Sequence, residues 1–156
     1  MGNEVTLVHL DARPDAIPLL AHWYFTEWNG IERLTLETLT GELHERLADP
    51  TIGLTYLALS GAAVIGTVSL DRCDLPGHEA RTPWLASLYV CPRARGRGLG
   101  RRLINHVIGT AAARGCPHLF LWTAGSPLRY EAVGFSTVET ASYGGQPIRI
   151  MQTALA

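Results

Sequence analysis

Apolar side chains recur along the chain with two periods, and each period indicates one kind of secondary structure. Spacings of three to five residues predict three helices: one capped by Asp15 that runs to about Glu27, one over residues 35–47, and one that begins at Leu99. Short apolar or alternating runs predict strands over residues 4–10, 52–59, 62–70, 85–90, 119–123, 135–138 and 147–151. Because strands and helices alternate, the chain is predicted to fold as an α/β protein.

Residues that favour turns separate these elements. The Asn-Gly pair at 29–30 is expected to end the first helix, Gly115 is expected to end the third, and the Ser-Gly pair at 60–61 indicates a hairpin. Ser126 is expected to cap a short fourth helix. Residues 71–83 are polar and irregular, and we interpret them as a surface loop, with a lid that carries a base as the alternative.

The segment of residues 93–102, R-A-R-G-R-G-L-G-R-R, has the features of a phosphate-binding turn. It lies between a predicted strand and a predicted helix, and its glycines let the backbone turn and let a ligand approach closely. The free amides of a first helical turn, at the positive end of the helix dipole, suit a phosphate. Five of the thirteen basic residues fall in this segment: Arg93, Arg95, Arg97, Arg101 and Arg102. This concentration indicates a ligand with more than one phosphate charge.

Three glycine-rich motifs can be compared with this segment. A P-loop requires a lysine, and the chain contains none. A dinucleotide fingerprint that began at Gly96 would need glycine where Arg101 stands, and no acid follows at the expected distance. The pattern that fits is Arg/Gln-x-x-Gly-x-Gly/Ala, through Arg95, Gly98 and Gly100. The segment therefore resembles the coenzyme A pyrophosphate loop of the GNAT superfamily of N-acetyltransferases.

A second motif supports this resemblance. Residues 130–135, Tyr-Glu-Ala-Val-Gly-Phe, are similar to the Tyr-Glu-x-x-Gly-Phe that the family carries after the next strand. The order of predicted strands and helices also resembles the GNAT fold over nearly the full chain. The resemblance implies a mixed central sheet of six to seven strands, flanked by about four helices and splayed between the fourth and fifth strands.

The resemblance also implies roles for particular residues. Tyr130 would lie near the coenzyme sulfur and protonate the departing thiolate, and the Leu88 N–H would hold the acetyl oxygen. The residues implied to bind the coenzyme are Leu88, Tyr89, Val90, Arg95, Gly96, Arg97, Gly98, Leu99, Gly100, Arg101, Ser126 and Tyr130. The residues implied to bind the acceptor are Glu27, Trp28, Trp84 and Trp122.

The general base stays open at the level of sequence. Some family members carry a glutamate eleven residues before the residue that corresponds to Arg95; here that residue is Trp84, which cannot take a proton. Either another acid acts through water, or the amine loses its proton to solvent. The candidates on position alone are Glu27, Glu32, Asp71, Asp74, His78 and Glu79.

Composition limits the class of protein. A chain of 156 residues that is 47% hydrophobic is expected to form a single domain over residues 1–156. Three cysteines without C-x-x-C spacing argue against a metal site and favour a reducing, cytoplasmic location. No signal segment or membrane-spanning run is expected. Since the net charge is −1, the arginine cluster is local, and we expect no nucleic-acid partner.

These features predict an enzyme that transfers an acetyl group from acetyl-CoA to a primary amine, by direct attack in a ternary complex and without a metal. The acceptor is a small molecule or a peptide, and the resemblance makes a homodimer possible. Three alternatives stay open: another acyl-CoA as donor, a coenzyme A-binding sensor without turnover, and an RNA or DNA binder that uses the arginine cluster.

Overall fold

Seven strands form one mixed sheet in the computed structural model, which describes residues 4–155. The strands are β1 (Val5–His9), β2 (Gly53–Ser60), β3 (Ala63–Asp71), β4 (Trp84–Val90), β5 (His118–Thr123), β6 (Ser136–Tyr143) and β7 (Gln146–Ala154), and their spatial order is β1-β2-β3-β4-β5-β7-β6. The α-helices are α1 (Ile17–Glu32), α2 (Leu36–Ala48), α3 (Leu99–Ala113) and α4 (Leu128–Glu131). This mixed seven-stranded sheet with four α-helices confirms the predicted fold class.

The sheet is antiparallel on both sides of one parallel junction. Strands β1 to β4 pair as antiparallel neighbours, and so do β5, β7 and β6. The parallel strands β4 and β5 share a single paired position, Trp84 with Phe120, supported by the hydrogen bond from Phe120 N to the Pro83 carbonyl at 3.0 Å. Beyond this position the strands diverge, as the predicted splay requires.

Helices cover both faces of the sheet. On one face, α1 and α2 pack on β2 through Ile17, Leu20, Leu43 and Leu57. On the other face α3 packs on β2 to β5, and the next residue of β2, Ala58, contributes to that second core. Neighbouring strand residues point to opposite faces, so β2 is apolar on both sides. None of the helices within residues 4–155 has both the length and the apolar character needed to cross a membrane.

Helix α1 is longer than the sequence predicts. It continues through Asn29 and Gly30 to Glu32 and ends only at Arg33, whose φ of 48° is left-handed. Asn and Gly disfavour a helix by only about 1 kcal/mol or less. Tertiary contacts outweigh that preference, because the Tyr143 hydroxyl donates to Glu32 and the turn after β6 packs on the backbone of Ile31.

Two other predictions differ from the structure in their bounds. Strands β6 and β7 extend well beyond the predicted 135–138 and 147–151, because β6 is an exposed edge strand whose apolar signal is weak. The sequence predicts Ser126 as the cap of α4, but the cap residue is Pro127; the Ser126 Oγ still accepts a hydrogen bond from Leu128 N, the first residue of α4, at 3.3 Å.

Candidate active site

The divergence of β4 and β5 opens a cavity of about 510 Å³. One wall comes from the two strands, through residues 85–88 and 121–126. The other wall comes from α1 and α2 and includes Glu27, Trp28 and Glu42. Tyr130 of α4 and Tyr143 of the β6–β7 turn also line the cavity. The cleft therefore exists because two parallel strands separate.

A β-bulge in β4 shapes the strand wall. In the ladder with β3, Thr67 pairs with Tyr89 and Ser69 pairs with Ala86, so that Ser87 and Leu88 both stand opposite one residue. Ser87 has a φ of 53°, in the left-handed region that non-glycine residues seldom adopt. A bulge leaves one residue out of the ladder and re-aims the backbone. The backbone next to Leu88 is thus directed away from regular pairing where the strand borders the cavity.

The glycine-rich segment has the geometry of an anion site. Gly96 and Gly98 have φ of 78° and 79°, and a Cβ added at either would meet no atom within 4 Å. Gly98 immediately precedes α3, which begins at Leu99. The first amides of this helix have no partner within the helix, and its dipole is positive here. Open space, free N–H groups and the exposed Arg97 and Arg101 beside it are the elements that a phosphate needs.

Arg95 is anchored to the end of β4. Its Nε donates to the Val90 carbonyl at 2.8 Å, and its guanidinium carbon lies 5.5 Å from the centre of the Tyr89 ring. The Tyr89 ring also packs on Trp23 of α1, with 4.8 Å between ring centres. Arg95 therefore fixes the start of the loop, and the Tyr89 side chain contacts both α1 and the loop.

Tyr130 lies beside the strand wall, on α4. Burial raises the pKa of its phenol, although the neighbouring Arg129 opposes the shift. The ring of Tyr130 meets Phe135 edge to face, with 6.3 Å between centres. Arg129 also links the cavity to the glycine-rich segment, because its Nη1 would lie 3.7 Å from a Cβ added to Gly100. The phenol is thus protonated at neutral pH and can donate a hydrogen bond or a proton.

The structure divides the predicted residues between the cleft and the start of α3. The predicted residues that line the cavity itself are Glu27, Trp28, Leu88, Trp122, Ser126 and Tyr130. Residues 95–101 stand at the start of α3, outside the cavity lining, and connect to it through Arg129. One predicted position differs: Trp84 is fully buried and does not line the cavity, so it is not placed to contact an acceptor there. Its indole packs on Phe120 and donates to the Arg81 carbonyl at 2.5 Å, because it holds the one paired position of β4 and β5.

The structure also separates the six candidate bases. Asp71 is 3% exposed and forms a two-bond ion pair with Arg46 of α2, so its carboxylate is already occupied. His78 and Glu79 do not line the cavity, and the Glu79 carboxylate accepts the Gly77 N–H at 2.9 Å. Three candidates remain in the cavity: Glu27, Glu32 and Asp74.

Two of these three carboxyl groups are held in unusual surroundings. Burial raises the pKa of Asp74 well above its usual range, and the charges of Asp71 and Glu32 add to the effect. Burial also raises the pKa of Glu32, against the hydrogen bond that it accepts from the Tyr143 hydroxyl at 3.2 Å. Burial and the Glu32 charge raise the pKa of Tyr143 to about 12. A raised pKa makes a carboxylate a stronger base, which favours proton transfer from an amine to it.

Sequence reasoning missed Arg46, Tyr143 and Arg129 as neighbours of the site. Arg46 comes from α2 and Tyr143 from the β6–β7 turn, and no local motif connects either with the glycine-rich segment. Arg129 directly precedes Tyr130, so its position within the second motif could have drawn attention to it. Within residues 4–155, no group of three or more His, Cys, Asp or Glu side chains is arranged to hold a metal ion.

The sequence itself matches a known family. The sequence profile of the acetyltransferase (GNAT) family aligns with residues 17–135, from the start of α1 to the end of the second motif. The chain belongs to this family. The matched residues include β4, the glycine-rich segment and Tyr130, so the family profile covers the elements that form the strand wall of the cleft. As a member of this family, the protein is an acetyltransferase.

Solved structures share the fold over nearly the whole chain. An aminoglycoside 6′-N-acetyltransferase in complex with coenzyme A is 17% identical, with a TM-score of 0.75 and 97% of each chain covered. A ribosomal-protein-alanine N-acetyltransferase from Brucella melitensis is 23% identical, with a TM-score of 0.74 over 96% of this chain and 99% of the other. The yncA protein of Salmonella typhimurium, solved with acetyl-CoA, is 18% identical, with a TM-score of 0.73 over 98% and 95%. Comparison with curated proteins found no match.

Proposed function

We propose that this protein transfers an acetyl group from acetyl-CoA to a primary amine by direct attack in a ternary complex. The observation that carries the proposal is the cleft between β4 and β5, which opens beside the free amides at the start of α3. A long ligand with a diphosphate at one end and a thioester at the other fits this arrangement. Its diphosphate binds the segment 95–101, and its thioester arm lies along β4.

The donor arm pairs with the backbone of β4. The bulge at Ser87 and Leu88 removes part of this strand from its ladder with β3 and so supports the use of the Leu88 N–H for the acetyl oxygen. An N–H aimed at the oxygen of a thioester carbonyl stabilises the negative charge that develops there during attack. Because the main chain supplies this donor, the side chain at 88 matters less, and Leu88→Val is expected to be mild.

The reaction is a single displacement at the acetyl carbon. The neutral amine attacks that carbon, the new C–N bond forms, and the C–S bond breaks as the electron pair leaves with sulfur. Tyr130 gives its proton to the departing thiolate. The proton that the amine loses goes to a carboxylate of the cavity, directly or through water, or to solvent. No cysteine of the chain lines the cavity, which favours direct attack over an acyl-enzyme.

A release assay tests this function. Purified protein is mixed with acetyl-CoA and a panel of primary amines, and free thiol is measured with a colorimetric reagent. Amine-dependent release is the expected result. Faster release with succinyl- or propionyl-CoA would favour another acyl donor, and thermal stabilisation by acetyl-CoA without release from any amine would favour a sensor.

A further inference from the structure

We infer that the acceptor is a small aliphatic molecule with at least two ammonium groups, one of which binds between Asp74 and Glu32 while the other is acetylated. This inference rests on the proposed acetyl transfer and adds to it the class of acceptor. It comes from the charge, construction and aromatic lining of the cavity end that lies away from the coenzyme.

Negative charge dominates the cavity lining. Four carboxylates line it, and they are Glu27, Glu32, Glu42 and Asp74. Within residues 4–155 two guanidinium groups line it as well, so the carboxyl groups outnumber them by two. Arg46 is engaged in the ion pair with Asp71 and offsets the charge of Asp74 and Glu42 only in part, and Arg129 lies next to Gly100. The empty cavity therefore carries an excess of acidic groups where a cation would be stabilised.

Asp74 is built into its position by the loop that carries it. The next residue, Leu75, is 3% exposed and packs among the apolar side chains over β5 and β7. The indole N–H of Trp122 donates to the Asp74 carbonyl at 3.0 Å. Burial of Leu75 and the bond to the Asp74 carbonyl fix the backbone here, and among the described residues the Asp74 carboxylate forms no ion pair with a basic side chain.

Glu32 reaches the same place from the opposite wall. It is the last residue of α1, and its carboxylate accepts the Tyr143 hydroxyl at 3.2 Å. Gly144, the next residue, has a φ of 58°, and a Cβ there would overlap the carbonyl of Ile31. The turn packs directly on the end of α1. This contact holds Glu32 in place at one end of the cavity. Two carboxylates from distant parts of the chain are thus brought together by specific contacts.

Aromatic rings complete the binding environment. Trp28, Trp122 and Tyr143 line the same region, and the rings of Trp122 and Tyr143 meet edge to face with 5.3 Å between centres. Indole and phenol faces attract an ammonium group through cation–π interactions, most strongly where water is excluded. Since burial raises the pKa of both Asp74 and Glu32, a bound cation also restores the charged forms of these carboxyl groups.

The cavity sets the size of the acceptor. A volume of about 510 Å³ suits a drug-sized or smaller molecule. The reacting amine must lie near Leu88 and Tyr130, so the second ammonium is separated from it by the span from those residues to Asp74 and Glu32. A linear diamine, a polyamine or a small amino sugar carries a second cation for the acidic end, whereas a simple monoamine leaves that end empty.

The experiment compares matched amines. Values of kcat/KM for acetyl transfer are measured for α,ω-diamines of three to seven carbons, for 1-aminopentane, for spermidine and for a peptide with a free N-terminus. We expect the best diamine to exceed 1-aminopentane at least tenfold. Equal values for the diamines and 1-aminopentane, or a peptide as the best acceptor, would overturn the inference and leave acetyl transfer in place.

Variants locate the second ammonium. Asp74→Asn and Glu32→Gln are each expected to raise KM for the best diamine about 30-fold or more, as removal of one partner of a buried charge pair does. In both variants the KM for the diamine should rise more than the KM for 1-aminopentane, because the monoamine has no second ammonium group to lose its partner. The control is Glu79→Gln, on the same loop outside the cavity, which should change neither. Thermal melts establish that each variant is folded, and an unchanged diamine KM in both folded variants would contradict the inference.

A binding measurement separates this inference from the proposed function. If no amine releases thiol, spermidine is titrated calorimetrically into the protein without acetyl-CoA. Binding that Asp74→Asn or Glu32→Gln weakens would support the cation site while acetyl transfer fails. Absence of heat with spermidine in the wild-type protein would overturn the cation site.

Discussion

The guanidinium of Arg46 on α2 donates two hydrogen bonds to the carboxylate of Asp71 at the end of β3. One joins Nη1 to Oδ1, and the other joins Nη2 to Oδ2 at 2.8 Å. Gly53, paired with Asp71 in the β2–β3 ladder, makes room for them, since a Cβ there would lie 2.6 Å from Arg46 Nη1 and 2.7 Å from Asp71 Oδ1. The pair fastens α2 to the sheet beneath the cavity, so that Asp71 supports the site and is not its base.

Breaking this pair should destabilise the protein strongly. Asp71→Asn leaves the largely buried Arg46 charge without a counter-charge, and such a change typically lowers the free energy of unfolding by about 3–5 kcal/mol. Urea denaturation followed by tryptophan fluorescence measures it. The double variant Arg46→Met with Asp71→Leu is the control, and it should recover much of the loss because no charge remains buried. An unchanged urea midpoint for Asp71→Asn would show that the pair adds nothing to stability.

Substitution of Asp74, unlike that of Asp71, should stabilise the protein, by an amount that depends on pH. Because burial raises its pKa above the usual 3.8, the folded protein holds this proton more tightly than the unfolded chain does. The contribution of this carboxyl to stability is fully present at a pH below its pKa in the unfolded chain. It is lost as the pH rises through its pKa in the folded protein. Asp74→Asn should therefore melt at a higher temperature than wild type at about pH 8, and the difference should shrink toward about pH 4.

Melting curves of the two proteins across this pH range provide the check, with Glu79→Gln as the exposed control on the same loop. A melting temperature for Asp74→Asn that is lower than wild type at pH 8 and equal at pH 4 would mean that the ionised carboxylate stabilises the empty protein. That outcome would place a cationic partner beside it within the chain.

Tyr130→Phe should slow the chemical step. Removal of a general acid typically reduces kcat by about 100-fold or more, because the thiolate must then leave without a proton. Saturating acetyl-CoA isolates this effect from binding. Tyr56→Phe, on β2 with its ring against His106 on α3, is the matched control and should keep full activity. Unchanged turnover in Tyr130→Phe would remove the acid role.

Two adjacent glycines lie in the turn between β6 and β7. Substituting each by alanine distinguishes the effect of a steric collision from the effect of backbone strain. Gly144 and Gly145 both have positive φ, of 58° and 78°, but only at Gly144 would a Cβ collide with the end of α1. Gly144→Ala should push the turn off Ile31 and displace Tyr143 from Glu32. We expect its KM for the acceptor to rise about tenfold, the equivalent of losing one charge-assisted hydrogen bond, with little change in KM for acetyl-CoA.

Gly145→Ala carries a similar backbone strain without the collision and serves as the control. Its KM for the acceptor should stay within about threefold of wild type, the effect of modest strain at an exposed turn. Equal effects from the two substitutions would indicate that the contact between the turn and α1 does not shape the acceptor end.

The coenzyme side of the site was accessible from sequence because its determinants are local. Arg95, Gly98 and Gly100 lie within six consecutive positions, and the turn-to-helix geometry that they require follows from backbone conformation alone. The strands before and after them have continuous apolar patterns, so the α/β order could be predicted as well, whereas the splay between β4 and β5 was implied by the family resemblance.

The acceptor side could not be predicted because its determinants are distant in sequence. Glu32 and Tyr143 meet across 111 positions, and their contact carries α1 past an Asn-Gly pair that local preference marks as an end. Trp84 was misplaced for the same reason: a motif offset located it on the strand, but only the packed structure shows its ring against Phe120. The direction of a side chain at a strand end depends on how that strand pairs with its neighbour, and the local sequence does not determine this pairing.

The glycine-rich segment can be tested with a second matched pair. Gly98→Ala adds a methyl group at a φ of 79°, which costs about 1–2 kcal/mol of strain, and it points into the space where the diphosphate would bind. We expect its Kd for acetyl-CoA to rise about tenfold or more. Gly109→Ala lies inside α3 with nothing within 4 Å, so it should leave the Kd unchanged and raise the free energy of unfolding by about 0.5–1 kcal/mol.

Calorimetric titration of the wild-type protein with acetyl-CoA tests the central claim most directly. Saturable binding of one acetyl-CoA per chain, weakened by Gly98→Ala and unaffected by Gly109→Ala, is the predicted result. No heat with either acetyl-CoA or coenzyme A, or binding that Gly98→Ala leaves intact, would contradict the placement of the diphosphate at the start of α3.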